Sequence, residues 1–211
     1  MTTALTLVEL LVVVAVVAMA VIILGLVPVS CGRAGEKSRS AACQSNLKQV
    51  GIAFRTWDGD YGNKYPMSVP TNKGGSMEFG AGDKMYMLFQ VMSNEINNPK
   101  VLVCPADNRD PAADFTHLNN NNLSYFVGLD ADETYPSMLF TGDRNLVTNG
   151  VAVIPGLVVI RTNDVAGWSG SIHKFVGNFG LADGSVQRGS RTTLQKFLSN
   201  TGTNVTRLAV P

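Results

Sequence analysis

The sequence predicts an α+β fold in which one long N-terminal helix packs on a small antiparallel sheet. Three observations support this class. Residues 5–57 hold an apolar run that continues into an amphipathic segment. Short apolar segments separated by Gly, Asn and Asp follow it as far as the C-terminus. One of these segments contains Asp183-Gly184, a strong β-hairpin signal. A helix followed by hairpins is typical of α+β domains.

The apolar run extends from Leu10 to Val27, 18 residues that include no charged side chain. This length is at the lower end of what a membrane-spanning helix needs. We therefore predict a transmembrane segment over about residues 7–30. A single-span anchor of another kind and a cleaved signal peptide are the alternatives. A signal peptide is disfavoured because a positive N-terminal region is lacking and because Glu9 adjoins the run.

The second half of the predicted helix is amphipathic. Its apolar residues are spaced 4, 3, 4 and 3 apart, which places them on one face that packs in a core: Cys43, Leu47, Val50, Phe54 and Trp57. Three glycines and Pro28 lie within residues 25–35 and predict a kink between the two halves. Turn-forming residues from Asp58 onward predict the end of the helix.

Residues 58–211 are predicted to form a C-terminal α+β head. Strands are expected at residues 124–128, 138–141, 179–182 and 185–187, an extended segment at 101–103, and short helices after Asp83 and over 191–199. Asp183-Gly184 is expected to form a type I′ turn, because Asp-Gly adopts positive φ at both central positions at little cost.

The charge balance excludes one class of partner. Lys and Arg together number 17 and Asp and Glu 16, so the net charge is +1, and no basic surface for nucleic acid is expected. Arg33, Lys37 and Arg39 follow the apolar run closely. By the positive-inside rule alone, they would hold that end of the span in the cytoplasm.

The N-terminal residues resemble a known processing motif. Leu5-Thr6-Leu7-Val8-Glu9-Leu10-Leu11-Val12-Val13 is similar to the cleavage and methylation motif of type IV pilin-like proteins, which include type IV pilins and type II secretion pseudopilins. The resemblance implies that residues 1–4 are a leader, that a prepilin peptidase cuts between Ala4 and Leu5, and that Leu5 is then N-methylated. It also implies that Glu9 meets the terminal amine of a neighbouring subunit. Ala4 stands where the family usually has Gly.

Three further motifs resemble a subgroup of these proteins: Cys43-Gln44-Ser45-Asn46-Leu47-Lys48-Gln49, Cys104-Pro105-Ala106-Asp107, and His173 followed by nine residues and Asp183-Gly184. The resemblance implies a structural subunit that polymerises through its N-terminal helix. Its expected partners are other copies of itself, the prepilin peptidase, an assembly ATPase and a platform membrane protein.

The same resemblance implies where the chain is located. The precursor is expected in the bacterial inner membrane with its head outside, opposite to the topology that the positive-inside rule favours, and the filament in the periplasm or on the cell surface. Two alternatives stay open: a membrane-tethered binding module that is exported by the pilin route but does not polymerise, and a tethered enzyme.

Export, as the resemblance implies it, permits disulfide bonds. Cys43 lies on the predicted core face and Cys104 follows an apolar segment, so we predict that these two are bonded; two buried thiols are the alternative. Cys31, at the predicted membrane edge, is expected to be unpaired. No Cys-x-x-Cys motif occurs, so neither a zinc site nor a resident cofactor is expected.

A hydrolase triad could be formed by His173, Asp183 and either Ser169 or Ser171. However, the sequence has no Gly-x-Ser-x-Gly nucleophile elbow, and Asp183 is expected to serve a tight turn. We therefore predict no catalytic residues. His173, Asp183 and Gly184 are interpreted as a structural motif in which His173 braces the hairpin.

Asp107, Asp110 and Asp114 are candidate calcium ligands, since some pseudopilins bind calcium. Their spacing does not match the twelve-residue calcium loop. The favoured interpretation is that they lie in solvated turns. The same interpretation applies to Gly142-Asp143-Arg144-Asn145.

Overall fold

The computed structural model describes the backbone of residues 6–211 and the side chains of residues 6–23 and 35–211. The predicted cleavage site, Ala4 and Leu5, and the side chain of Cys31 lie outside these residues. The chain divides into two units between Ser38 and Arg39. The second unit has an α+β architecture with antiparallel sheets, which confirms the predicted class.

The helices are α1 (Leu7–Asp60), α2 (Met87–Gln90), α3 (Ser93–Ile96) and α4 (Arg191–Ser199). Short 3₁₀ helices occur at Pro66–Ser68, Thr71–Lys73, Met77–Phe79, Pro99–Leu102, Phe115–His117 and Asn120–Asn122. The strands are β1 (Tyr125–Gly128), β2 (Leu139–Asp143), β3 (Leu146–Thr148), β4 (Val151–Ala152), β5 (Gly156–Arg161), β6 (Ala166–Trp168), β7 (Gly177–Leu181), β8 (Val186–Gly189) and β9 (Val205–Val210).

The strands form two antiparallel sheets. The larger sheet has six strands in the order β5-β9-β1-β2-β7-β8, and the smaller has three in the order β4-β3-β6. The last strand of the chain, β9, therefore lies between β5 and β1. This pairing ties the C-terminus into the middle of the head.

One face of the larger sheet packs against α1. The helix contributes the five residues that its sequence spacing placed on one face, all at most 2% exposed: Cys43, Leu47, Val50, Phe54 and Trp57. They form one core with residues of α2 and of the sheet, among them Leu88, Phe89, Tyr125, Val127 and Phe140. The predicted core face of the helix is thus confirmed for residues 43–57.

The opposite face of the larger sheet has its own core. Side chains alternate between faces along a strand, so Phe126 points away from its neighbours Tyr125 and Val127 and joins a second cluster. This cluster includes Leu194 and Leu198 of α4 and Trp168 of β6. The head is therefore layered, with α1 on one face and with α4 and the small sheet on the other.

The helices and strands predicted from the sequence are confirmed in part. Helix α4 has the predicted bounds, and β1, β2, β7 and β8 lie where strands were expected, with their ends shifted. The extended segment predicted at 101–103 was wrong, because Pro99–Leu102 is a 3₁₀ helix. The Asn98 side chain accepts a hydrogen bond from the N–H of Lys100, and Pro99 takes the first helical position; both are start signals for a helix.

The hairpin between β7 and β8 is present, but its predicted type I′ turn was wrong. The N–H of Gly184 donates to the carbonyl oxygen of Leu181 at 2.8 Å. Among the described residues with positive φ, Gly184 is included at +79° and Asp183 is not. A four-residue turn that ends in a left-handed glycine is typical of a three-residue hairpin loop with a G1 bulge.

The membrane-spanning prediction concerns the first unit. Within the described part of the chain, no helix combines the length and the apolar character needed to cross a membrane. The predicted span, about residues 7–30, extends into residues 24–30, whose side chains lie outside the described set.

Candidate functional site

Two parts of the molecule are candidates for function. The first is the apolar surface of α1 before residue 24. Every residue from Thr6 to Ile23 is exposed, and the large apolar side chains among them are 54–76% exposed. Soluble monomers rarely expose contiguous apolar surface on this scale, and such surface usually marks a contact with other molecules.

Glu9 lies at the beginning of this surface. Its Oε2 accepts hydrogen bonds from the N–H and the hydroxyl of Thr6, both at 2.8 Å, while the N–H of Glu9 lies 3.4 Å from Thr6 Oγ1. This is a capping box, in which the residues at N-cap and N3 satisfy each other's backbone N–H groups. This contact within the chain was not predicted from the sequence. The two hydrogen bonds that Glu9 accepts from Thr6 both end on Oε2, so neither of them uses Oε1.

The second candidate lies inside the head, where α1 is bonded to the segment after Pro99–Leu102. Cys43 and Cys104 form a disulfide with Cα atoms 4.9 Å apart, as predicted. Nearby, Asn46 Nδ2 donates to the carbonyl oxygen of Val103 at 3.0 Å. Both cysteines are fully buried. Helix and head are therefore covalently joined across 61 residues of sequence.

His173 is buried against this disulfide. Its Nε2 lies 3.3 Å from Sγ of Cys104 and 3.7 Å from Oδ2 of Asp143, and the residue is 1% exposed. The prediction that His173 braces the hairpin turn at Asp183-Gly184 did not anticipate these two contacts. They place the imidazole between α1's disulfide and the end of β2.

Asp143 is the acid beside His173, and the predicted solvated turn at this position was wrong. Gly142 and Asp143 are the last two residues of β2, and Asp143 is fully buried. Its Oδ2 accepts from the backbone N–H of Asn178 at 2.7 Å and from Asn178 Nδ2 at 3.1 Å. Burial raises the pKa of Asp143 to about 7, although the bonds from Asn178 oppose that rise.

Asp107 also has a role other than the predicted one. Its carboxylate accepts two hydrogen bonds from the Arg144 guanidinium and one from the Ser124 hydroxyl, all at 2.8 Å. Burial alone raises the pKa of Asp107, but these bonds bring it below its ordinary value. The carboxylate is thus used in a largely buried ion pair, which leaves it poorly placed to ligate calcium.

The other two calcium candidates are exposed. Asp114 Oδ1 caps the 3₁₀ helix Phe115–His117, accepting from the N–H groups of Thr116 and His117. Hydrogen bonds with the Thr116 hydroxyl and the His117 ring lower the pKa of Asp114 to about 2. Among the described residues, the acids of this loop form no group of three ligand atoms close enough to hold an ion. In the described part of the chain, the one such group comprises Cys43, Cys104 and His173, whose ligand atoms lie within 4.8 Å of one another.

The residues that were considered as a hydrolase triad have separate roles in the structure. The hydroxyls of Ser169 and Ser171 lie 2.9 Å apart and bond to each other. Asp183 Oδ1 accepts from the N–H of Ser185 at 2.8 Å, which is turn chemistry. The carboxylate beside His173 belongs to Asp143 instead.

Sequence reasoning missed Asp143, Asn178 and the Arg144 pair. Gly142-Asp143-Arg144-Asn145 has the composition of a turn, and only the apolar residues that precede it, Leu139 and Phe140, hinted at a strand. Burial of Asp143 depends on β2 lying between β1 and β7, which no local pattern specifies.

The comparisons with protein-family models, with curated proteins and with solved structures each find no match to this chain.

Proposed function

We propose that this chain is a structural subunit of a type IV pilus-like or type II secretion pseudopilus filament. The observation that carries the proposal is the exposed apolar surface of α1 from Thr6 to Ile23. Apolar surface gains about 25 cal/mol per Å² when it leaves water. A chain that keeps this surface exposed as a monomer is therefore suited to burying it against identical helices.

The end of that surface supports an ordered assembly. Glu9 is the one acid among residues 6–23, and a carboxylate in an apolar interface is costly unless it is paired. A free α-amine on a neighbouring subunit is a suitable partner, and Oε1 of Glu9 is not used by the capping box. The apolar side chains then supply non-specific contact, and the ion pair sets the stagger between subunits.

The rest of α1 supports a display function. From Cys43 to Trp57 the helix is part of the head's own core, and the disulfide bonds it to the head. A filament built through the N-terminal helices would therefore carry the heads as covalently attached outer domains. The precursor would be held at the inner membrane, cut before Leu5 by a prepilin peptidase, and assembled by an ATPase and a platform membrane protein.

A membrane-tethered binding module is the second candidate, and one observation favours it. Phe175 is 71% exposed although its φ of 66° is strained for an aromatic residue. It borders a cavity of about 190 Å³ lined also by Trp168, Val147, Val165 and Arg191. Phe is among the aromatic residues that are enriched at the buried cores of protein–protein interfaces.

Sheared surface material from cells that produce the chain separates the two candidates. The filament function predicts thin fibres in electron micrographs, with this chain as a main component by mass spectrometry and with its N-terminus at a methylated Leu5. A chain recovered only from membranes, without fibres, would contradict the filament function and favour the binding module.

A further inference from the structure

Four buried side chains form a set of metal-ligand atoms that filament assembly does not require. We call Cys43, Cys104, His173 and Asp143 the Cys–His–Asp cluster. Each is at most 1% exposed. Nε2 of His173 lies 3.3 Å from Sγ of Cys104 and 3.7 Å from Oδ2 of Asp143. One ligand atom from each of Cys43, Cys104 and His173 lies within 4.8 Å of the other two, and the carboxylate of Asp143 adjoins the imidazole.

These separations agree with the geometry of a zinc site. With bonds of about 2.0–2.3 Å in a tetrahedron, neighbouring ligand atoms lie about 3.3–3.8 Å apart. The 3.3 Å separation between Nε2 of His173 and Sγ of Cys104 agrees with that range. Nε2 also lies 3.7 Å from Oδ2 of Asp143, the carboxylate oxygen that Asn178 uses. The two sulfurs are covalently bonded to each other, and a thiolate is the form of cysteine that binds a metal. A metal ion can therefore enter only when the disulfide is reduced.

Asp143 supplies an independent reason to expect a ligand here. Its Oδ2 is used by Asn178, but its Oδ1 is buried and has no hydrogen-bond partner. A buried acceptor without a partner costs free energy that a bound cation would recover. Cys₂His with one further ligand is a donor set that zinc occupies in proteins.

We propose that the dithiol form of this chain binds one Zn²⁺ through Sγ of Cys43, Sγ of Cys104, Nε2 of His173 and Oδ1 of Asp143. The site goes beyond the proposed filament function and does not depend on it. A dithiol reductant can give two electrons and two protons to the Cys43–Cys104 bond, and it then becomes a cyclic disulfide. Each thiol then loses its proton as its sulfur–zinc bond forms, so that the two thiols together release two protons.

The site would let either of two links hold α1 to the head. In the oxidised chain the covalent bond does so, and in the reduced chain the metal would take its place between the same two sulfurs. Because metal ligands are rarely preformed in an unfolded chain, the binding free energy of the ion would stabilise the reduced fold.

Cobalt titration of the full chain tests the proposal. Cys31→Ser is the background for every variant, so that Cys43 and Cys104 are the remaining thiols. The chain is reduced with a phosphine that is then removed, and Co²⁺ is added without oxygen. We expect one Co²⁺ per chain, a thiolate-to-cobalt charge-transfer band, the visible bands of a tetrahedral ion, and displacement by Zn²⁺. The oxidised chain should show none of these.

Matched variants identify the ligands. His173→Gln should weaken binding by more than about 100-fold and Asp143→Asn by about tenfold or more, since even residues outside the ligand set cost 10–100-fold. His117→Gln is the control, because His117 is exposed and bonds to Asp114; its affinity should be unchanged.

Several results would overturn the proposal. One is a reduced chain that binds cobalt no better than the oxidised chain, and another is an affinity that His173→Gln leaves unaltered. If the reduced chain unfolds without metal, Zn²⁺ must restore its near-ultraviolet circular dichroism. Failure to restore that signal would equally overturn the site.

Discussion

Arg55 of α1 and Ala182 in the β7–β8 turn are joined by a hydrogen bond of 3.1 Å from Nη2 to the carbonyl oxygen. The same guanidinium pairs with Glu133 at 3.1 Å and covers Gly184, where an added Cβ would lie 2.9 Å from Nη1. The long helix therefore contacts the hairpin loop directly, and the glycine of that loop is restricted by both its conformation and its neighbour.

Gly184→Val should destabilise the head by about 2–3 kcal/mol, because a β-branched residue is strained at a φ of +79°. Gly184→Asn is the matched control and should cost about 1 kcal/mol, since Asn tolerates the left-handed region. Urea unfolding followed by tryptophan fluorescence gives both values. Equal stability of the Val variant and the parent would mean that the loop does not hold this conformation.

Arg144→Ala should lower the unfolding free energy by about 3 kcal/mol, because it leaves the Asp107 carboxylate without its cation. The side chain of Asp107 is 2% exposed. Arg207→Ala provides the comparison, because the Arg207–Asp130 pair is more exposed. Removal of such a pair should cost less than about 1 kcal/mol. Similar losses of unfolding free energy in the two variants would show that the burial of Asp107 does not increase the contribution of its ion pair.

Stability should fall as the pH rises from about 4 to about 7, through ionisation of Asp143. Burial gives this carboxyl a higher pKa in the folded chain, about 7, than in the unfolded chain. The folded state therefore binds the proton more tightly, and its advantage, up to about 4 kcal/mol, is lost as the pH passes that value. The neighbouring charged or titratable groups are His173, Asp107, Arg188 and Tyr125.

Asp143→Asn isolates this contribution. The amide keeps an oxygen for Asn178 but does not ionise, so the variant should lose most of the pH dependence between 4 and 7 that the parent shows. Urea midpoints measured at several pH values in that interval provide the comparison. Parallel curves for parent and variant would contradict a raised pKa at Asp143.

The disulfide should contribute about 2–4 kcal/mol, because it closes a loop of 61 residues in the unfolded chain. Cys43→Ser with Cys104→Ser, measured with a chelator present, should lower the unfolding free energy by that amount. Cys31→Ser should leave it unchanged. Peptide mapping without reductant must recover residues 43 and 104 cross-linked; two free thiols there would contradict the bond.

The sequence was most informative where one local period sets the structure. The spacing of Cys43, Leu47, Val50, Phe54 and Trp57 identified a core face, and the same face brought Cys43 to Cys104. Helix α4 was predicted with its bounds for the same reason. Asp-Gly marked the correct hairpin, although the neighbouring residues formed a longer loop than the dipeptide alone implied.

Long-range pairing explains most of what was missed. Strand β9 pairs with β5 and β1, which precede it by tens of residues. The alternation of side chains along Val205–Val210 indicates a strand only once those partners are known. Asp143 became buried because β2 is central in the sheet. The contact between His173 and Cys104 joins residues 69 apart. No local pattern of charge or hydropathy predicts contacts between residues so far apart in the sequence.

We propose that Glu9 directs assembly through its charge, and Glu9→Gln separates this role from its role in the capping box. Gln at N3 preserves the capping box with Thr6 but cannot form an ion pair with a terminal amine. Glu9→Ala removes both contacts, and Glu9→Asp keeps a charge on a side chain one methylene shorter.

Filaments are counted by electron microscopy on cells that produce each variant at matched membrane levels. We expect Glu9→Gln and Glu9→Ala both to make filaments rare or absent, and Glu9→Asp to be intermediate. Normal filament numbers from Glu9→Gln would contradict the ion pair and leave Glu9 with a helix-capping role alone.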